Sequence, residues 1–128
     1  MNTPELLDDV SAVRALVQLY VDGACNDAAK LRQAFHEDAW MFGHIGETRR
    51  DMPIRAFIDG VASAKQSLAG PAYRADIASV IVHDRVAVAT LIEQDYRGCD
   101  FVDVFTCSKF ADGWKIVTKT FTCTRAPA

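Results

Sequence analysis

Three side chains in the sequence are candidates for moving protons in a reaction: Tyr20, His44 and Asp103. A phenol can donate a hydrogen bond to a ligand oxygen, and an imidazole or a carboxylate can take up a proton that a substrate loses. Asp103 can also pair with Lys119, because the two fall in neighbouring predicted strands. We favour a structural ion pair on the outer or dimer face of the sheet. The alternative is a pocket carboxylate held by Lys119 for acid–base catalysis.

Tyr20 also has a purely structural interpretation. It continues an apolar stripe with Val10, Val13 and Val17, at the three- and four-residue steps of one helix face. An aromatic residue at helical spacing usually belongs to the core. We therefore favour a core role for Tyr20 over a phenol that contacts a ligand.

The elements that position these residues form two blocks. Three predicted helices come first: a long one that carries the Tyr20 stripe, a short one over 28–35 behind Asp27, and a third that Pro53 opens. The apolar residues of the third helix recur at helical spacing; they are Ile54, Phe57, Ile58, Val61 and Ala62. A strand over 39–44 lies between the second and third helices. Four strands separated by polar turns follow, over 73–82, 86–96, 101–110 and 114–124. Helices followed by an antiparallel meander predict an α+β fold, in a single domain over 1–128.

The phase of the strand over 39–44 decides where His44 points. One phase turns Met41 and Gly43 toward the helices and leaves His44 on the convex face with Trp40 and Phe42. Aromatic side chains there suit a dimer interface. The opposite phase makes His44 a pocket base near the helix tyrosine, because a shift of one residue exchanges the two faces.

Four threonines alternate along the last predicted strand and share one face of it. Trp114 and Ile116 fall on the same face, which predicts that this face points at the helices. Hydroxyl groups would then line a polar pocket wall, or the threonines simply suit a strand. The four residues are Thr118, Thr120, Thr122 and Thr124.

Composition excludes several classes of protein. The chain has 128 residues, with 14 Lys and Arg against 17 Asp and Glu, and a formal net charge of −3. We therefore expect no nucleic-acid partner. The sequence has no apolar stretch long enough to span a bilayer and no signal-peptide pattern, which predicts a cytoplasmic protein without membrane contact. The cysteines have no Cys-x-x-Cys spacing and no His at a zinc-like offset, so we predict no metal site and no cofactor.

Several short motifs follow one another in a specific order. They are Tyr20-Val-Asp-Gly, Phe35-His-Glu-Asp-Ala39, Phe42-Gly43, Phe101-Val102-Asp103, Asp112-Gly113-Trp114-Lys-Ile-Val and Lys119-x-Phe121. With these motifs the chain resembles the nuclear transport factor 2-like superfamily. Within it, the chain most resembles the putative lumazine-binding group of small bacterial proteins. The similarity spans nearly the whole chain.

The resemblance implies a cone-shaped α+β barrel, with three N-terminal helices packed on a curved antiparallel or mixed sheet. It also implies a homodimer through the convex sheet face and a pocket at the open end between helices and sheet. From this fold we expect ligand contacts from Tyr20, Met41, Phe57, Ile92, Gln94, Tyr96, Thr106 and Thr118.

The same resemblance argues against one reaction of the superfamily. Ketosteroid isomerase has a Tyr on its first helix, an Asp at the end of its first strand and a protonated Asp deep in the sheet. Tyr20 matches the helix position. Gly43 matches the strand-end position, and Thr106 or Cys107 matches the deep one. Both carboxyl groups are therefore missing, which disfavours steroid-type isomerisation.

We therefore expect a small-molecule binding protein whose pocket lies between the helices and the curved sheet. The alternative is a general acid–base enzyme of the isomerase, cyclase or dehydratase type, acting on a small carbonyl or polyketide-like substrate. In that case Tyr20 would act with His44 or Asp103. A third hypothesis is an assembly role, in which side chains fill the pocket.

Overall fold

Three helices form one layer of the fold. The computed structural model describes residues 3–127, so Met1, Asn2 and Ala128 of the predicted domain over 1–128 lie outside it. The helices are α1 (Thr3–Asn26), α2 (Ala28–Ala34) and α3 (Ile54–Ser63). The Asp27 carboxylate caps α2 by accepting a hydrogen bond from the Lys30 backbone N–H at 3.3 Å. Along α3 the buried side chains follow the predicted helical spacing; they are Ile54, Phe57, Ile58 and Val61.

Seven strands form one curved sheet against these helices. They are β1 (Phe35–Ile45), β2 (Thr48–Arg49), β3 (Met52–Pro53), β4 (Ala69–His83), β5 (Val86–Tyr96), β6 (Cys99–Phe110) and β7 (Gly113–Arg125). The order across the sheet is β2-β1-β7-β6-β5-β4, and β3 pairs with β1. Only the pairing of β1 with β7 is parallel among the described strands, so the sheet is mixed. The predicted α+β class is confirmed, although the curved sheet stays open, with β2 and β4 at its edges.

Both β1 and β4 begin four residues before the predicted strands over 39–44 and 73–82. The residues over 36–38 belong to β1, whose register with β7 shifts between Phe35 and Trp40. Gly70 and Pro71 belong to β4. Because β4 is an edge strand, a proline there removes no essential ladder hydrogen bond.

Bulges in β5 and β7 decide which side chains face the helices. In β7, Ile116 is opposite Cys107 and Thr118 is opposite Thr106, so Val117 is an extra residue. In β5 the register shifts after Glu93, where Asp95 has a φ of 57°. Each extra residue reverses the alternation of faces beyond it.

The apolar core lies between α1, α3 and the concave face of the sheet. Val13, Val17 and Tyr20 of the predicted stripe are fully buried. Tyr20 makes edge contacts with Phe35 and Phe105, at ring-centroid distances of 5.8 and 4.9 Å. In residues 3–127 no helix is long and apolar enough to cross a membrane.

Candidate ligand-binding cavity

A cavity of about 340 Å³ lies between α3 and one end of the concave sheet face. The loop before β3, β3 itself, α3 and the inward side chains of β1, β5, β6 and β7 form its walls. The lining residues are Met41, Ile45, Arg50, Met52, Ala56, Phe57, Gly60, Glu93, Tyr96, Arg97, Phe101, Lys119 and Phe121. The volume falls near the lower end of the range for small-molecule sites.

Aromatic rings make up much of the cavity wall. Phe101 packs edge-on against Tyr96 and Phe121, with ring-centroid distances of 6.3 and 5.8 Å. Gly43 makes room for this arrangement, because a Cβ atom there would overlap the Phe121 ring. Phe57 of α3 completes the apolar surface. Such walls suit a flat ring system.

Glu93 and Asp103 form a buried carboxyl pair at the inner end of the cavity, each only 1% exposed. Their side chains are in hydrogen-bonding contact, and the Tyr73 hydroxyl donates to Glu93 Oε2 at 2.7 Å. Burial, then the charge and hydrogen bond of Asp103, raise the pKa of Glu93 to about 8, while Lys119 and Tyr73 act in the opposite direction. Glu93 therefore keeps its proton at neutral pH, and its protonated carboxyl group can donate a hydrogen bond.

Lys119 brings a positive charge into the same region. The residue is 5% exposed, and its Nζ lies 4.3 Å from the Phe57 ring centroid, 5.1 Å from that of Tyr20 and 5.2 Å from that of Phe121. These rings stabilise the ammonium group through cation–π interactions. Across residues 3–127 it forms no ion pair.

Two arginines lie at the cavity mouth. The Arg97 guanidinium lies over the rings of Phe57 and Tyr96, 5.9 and 5.7 Å from their centroids. Its backbone is held in the β5–β6 turn by a hydrogen bond from Arg97 N to Leu68 O at 2.8 Å. Arg50 is exposed and follows β2, where its backbone N–H donates to Gly43 O at 2.9 Å. The mouth is therefore positively charged.

Tyr20 lies behind the cavity wall rather than on it. It stacks on Phe57 with a centroid distance of 6.4 Å, and its hydroxyl has no hydrogen-bond partner among the described residues. Burial, followed by the charges of Asp103 and Glu93, raises the Tyr20 pKa well above its usual value. The phenol thus stays neutral.

The structure separates the predicted ligand-contact residues into two groups. Met41, Phe57 and Tyr96 line the cavity. The prediction that the last-strand threonines face the helices is wrong, because the Val117 bulge reverses the alternation after Ile116. The remaining predicted contacts lie on the outer face, away from the cavity; they are Ile92, Gln94, Thr106 and Thr118.

The structure also places the other two proton-moving candidates. His44 is exposed on the outer face, with its Nε2 3.5 Å from Arg49 Nη1, as in the phase that leaves it with Trp40 and Phe42, so the alternative of a pocket base is wrong. Asp103 and Lys119 are buried on the concave face instead of pairing on the outer face, and no ion pair joins them in the described structure. The carboxyl partner of Asp103 is Glu93.

Sequence reasoning missed the charged cavity residues Glu93, Arg50 and Arg97, and it gave Lys119 a pocket position only as the alternative. Strict alternation would place Glu93 and Tyr96 on opposite faces, but the bulge turns both inward. The bulge is held by Asp95, whose Oδ2 accepts from Ala72 N at 2.9 Å. A usable signal was present, since a charged residue inside a largely apolar strand needs a specific environment.

Other depressions on the surface are less suited to a ligand. One of them, of about 670 Å³, lies between the start of α1 and the β4–β5 turn. Its most buried charge, Asp9, already accepts hydrogen bonds from Lys109 Nζ at 2.9 Å and Trp114 Nε1 at 3.1 Å. In the part of the chain that the structure describes, no cluster of three or more His, Cys, Asp or Glu side chains is placed to hold a metal ion.

The family model described as putative lumazine-binding matches residues 8–122. No protein among those with curated descriptions matches the chain.

Solved structures with the same fold include two proteins of unknown function. A nuclear transport factor 2-like protein from Silicibacter pomeroyi is 27% identical, with a TM-score of 0.80, and the match covers 96% of this chain and 99% of that one. One from Shewanella baltica is 23% identical with a TM-score of 0.82, covering 94% and 97%. A ketosteroid isomerase-like protein from Erwinia carotovora atroseptica is 14% identical with a TM-score of 0.66, covering 91% and 96%, and shares the fold.

Proposed function

The chain belongs to the family described as putative lumazine-binding, and we propose that it binds a small planar ring compound in the cavity between α3 and the concave sheet face. The observation that carries this proposal is the open hollow of about 340 Å³ with aromatic walls. Lumazine, which the family description names, is a flat two-ring heterocycle of the kind such walls accommodate. The open hollow also argues against an assembly role in which side chains fill the pocket.

Calorimetric titration with lumazine and a panel of flat one- and two-ring compounds tests this proposal. A filling substitution, Ala56→Phe, is designed to block the cavity from an exposed position on α3. Ala62→Phe is the matched control, since Ala62 is exposed on the same helix and does not line the cavity. We expect a panel member to bind and to raise the melting temperature of the wild type and of Ala62→Phe, but not of Ala56→Phe.

Two outcomes would contradict the proposal. One is the absence of binding across the whole panel. The other is a bound compound whose affinity is unchanged by Ala56→Phe, which would place its site elsewhere. Circular dichroism and the melting temperature of the free variants establish that both are folded.

A specific observation favours acid–base catalysis as a second function. Glu93 lines the cavity with a pKa raised to about 8 and is in contact with Asp103, so these carboxyl groups can give a proton to one atom of a bound carbonyl compound and take one from another. Such a transfer isomerises or tautomerises the compound without a further reactant. Asp103 would act here through Glu93, and not with Tyr20 or His44 as expected from the sequence.

Deuterium exchange tests this second function. β-Tetralone, a two-ring ketone, loses α-carbon protons to D₂O when a base removes them, and proton NMR follows the loss. We expect the wild type to accelerate this exchange and Glu93→Gln to abolish the acceleration. Ile92→Ala, on the outer face of the same strand, should leave it unchanged. Exchange at the uncatalysed rate with the wild type, or unchanged catalysis by Glu93→Gln, counts against it.

The outer face of the sheet supports the predicted homodimer. Large apolar side chains are exposed on it, among them Trp40, Ile81, Val88 and Ile92. A second copy of the chain would cover them. We expect a dimer in sedimentation experiments, which Ile81→Glu with Ile92→Glu dissociates and Leu7→Glu on α1 does not. The cytoplasmic location stays a prediction.

A further inference from the structure

Positive charge is concentrated around the cavity in a protein whose formal net charge is −3. Lys119, Arg50 and Arg97 all line it, and Glu93 is the acidic residue among its lining side chains. None of the three basic groups forms an ion pair in residues 3–127. Arg50 and Arg97 are exposed at the mouth, where they can contact a ligand directly, whereas Lys119 is buried.

Lys119 alone does not require an anionic ligand. Its ammonium group is buried in the same region as the carboxyl groups of Glu93 and Asp103. The aromatic rings around Nζ supply further stabilisation. Lys119 therefore has acidic and aromatic neighbours within the protein itself.

Arg97 and Arg50 remain as two uncompensated positive charges at the mouth. The Arg97 guanidinium extends across the aromatic wall, over Phe57 and Tyr96. The Arg97 side chain is also in hydrogen-bonding contact with Tyr96, and a guanidinium has enough donors to bind a planar anion such as a carboxylate as well. Below them, the protonated member of the carboxyl pair can donate a hydrogen bond to an acceptor atom of the ligand ring.

Resting on the proposed function, we propose that the ligand is an anion: an aromatic or heteroaromatic ring compound that bears a carboxylate. The ring lies between Phe57 and the wall formed by Phe101 and Phe121. The carboxylate lies at the mouth against Arg97 and Arg50, within the field of Lys119. A neutral ring of the same shape binds more weakly, since it leaves the two guanidinium groups without a partner.

A matched pair of compounds tests the inference. Quinaldate is a two-ring heteroaromatic carboxylate, and quinaldamide is its neutral analogue of nearly the same shape. We expect calorimetry to show quinaldate binding at least about tenfold more tightly, the difference expected from hydrogen bonds to a charged group. The advantage of quinaldate should shrink as salt is raised, because salt screens exposed charges.

Variants locate the effect at the cavity mouth. Arg97→Gln should weaken quinaldate about threefold to fivefold, as expected for a charge at the rim of a site, and leave quinaldamide unchanged. Arg55→Gln is the matched control, because it removes the same charge from an exposed position on α3 that does not line the cavity. Both arginines are exposed, so neither change threatens the fold.

The results separate this inference from the proposed function. Equal affinities for quinaldate and quinaldamide, or an Arg97→Gln effect no larger than that of Arg55→Gln, would overturn the anion inference and leave the binding function standing. Binding of neither compound, together with no binding across the panel of ring compounds, would overturn both.

Discussion

The two ends of the concave sheet face differ sharply although the same strands build them. At one end, called here the closed end, Phe105, Cys107, Trp114 and Ile116 pack against the helices without a hollow, and all are buried. At the cavity end, the same strands present the charged residues Glu93, Asp103 and Lys119, also buried. An apolar core and a charged cavity can therefore share one sheet when the strand geometry changes between them.

The change occurs at the bulges in β5 and β7. Before Val117 the inward side chains of β7 are apolar, and after it they include Lys119. The bulge after Glu93 likewise turns Tyr96 inward and carries the chain into the Arg97 turn at the cavity mouth. Bulges re-aim side chains next to functional sites in many sheets.

The largest expected effect comes from the closed end. Phe105→Ala should lower the free energy of unfolding by about 3 to 5 kcal/mol, because the ring is fully buried and packs on Tyr20. Phe101→Ala at the cavity end should cost less, since one side of that ring already faces the hollow. Urea denaturation of both variants checks the difference. Equal losses would mean that the two ends are packed equally well.

The closed end is also the part that the sequence predicts well. The stripe of Val13, Val17 and Tyr20 and the spacing of buried residues along α3 follow helical periodicity, and the structure confirms both. Alternation likewise predicts that Trp114 and Ile116 face inward. These positions follow a helix or strand period without interruption, so the local sequence pattern is sufficient to predict which side chains face inward.

The directions of the side chains at the cavity end cannot be predicted in the same way. An extra residue in a strand leaves no clear mark in the sequence, yet it reverses every face beyond it. For this reason Thr118 was expected in the pocket and Lys119 outside it. Charged residues in apolar strands were visible, but their convergence depends on contacts between residues far apart in the chain, such as Glu93 with Asp103.

The second-largest expected effect is a pH dependence of stability that arises from the charged residues of the cavity end. Because the pKa of Glu93 rises from an ordinary 4.5 to about 8 in the folded state, the folded protein binds more protons between these values. Its stability should therefore fall as the pH rises from about 5 to 8. In Glu93→Gln this dependence should largely disappear, so the stability of the variant relative to wild type should increase by on the order of 3 kcal/mol across the window.

Thermal unfolding of both proteins at several pH values measures this change. The groups that face Glu93 are Asp103, Lys119, Tyr73, Tyr20, Tyr96 and Cys25. They are present in both proteins, so the difference measures Glu93 together with its interactions with these groups. Parallel stability curves for wild type and Glu93→Gln would show that Glu93 titrates in the folded protein as it does in the unfolded chain. The charged cavity end would then differ much less from the apolar closed end.

A third substitution changes the packing of the cavity wall. Gly43→Ala places a Cβ atom where the Phe121 ring now lies, so the ring must shift into the cavity. We expect a cost of about 1 to 3 kcal/mol from overpacking and a loss of affinity for any bound ring compound. Gly46→Ala is not a suitable control, because Gly46 has a φ of 60°. Ala56→Gly is the control, because it enlarges the cavity and leaves the Phe121 side chain unchanged. Unchanged affinity in Gly43→Ala would place the ligand away from Phe121.

The smallest expected effect comes from the outer face, beyond the β7 bulge. Thr118 and Thr106 are paired through their hydroxyl groups on the side of the sheet away from the helices. Thr118→Ala should change the free energy of unfolding by no more than about 0.5 kcal/mol, as for most surface substitutions, and should leave ligand affinity unchanged. Lys119→Gln, one residue further on, should change affinity for an aromatic carboxylate strongly, because its ammonium group lies at the cavity wall. If Thr118→Ala weakened binding as much as Lys119→Gln does, Val117 would not reverse the faces of β7, and the charged cavity would lose its structural basis.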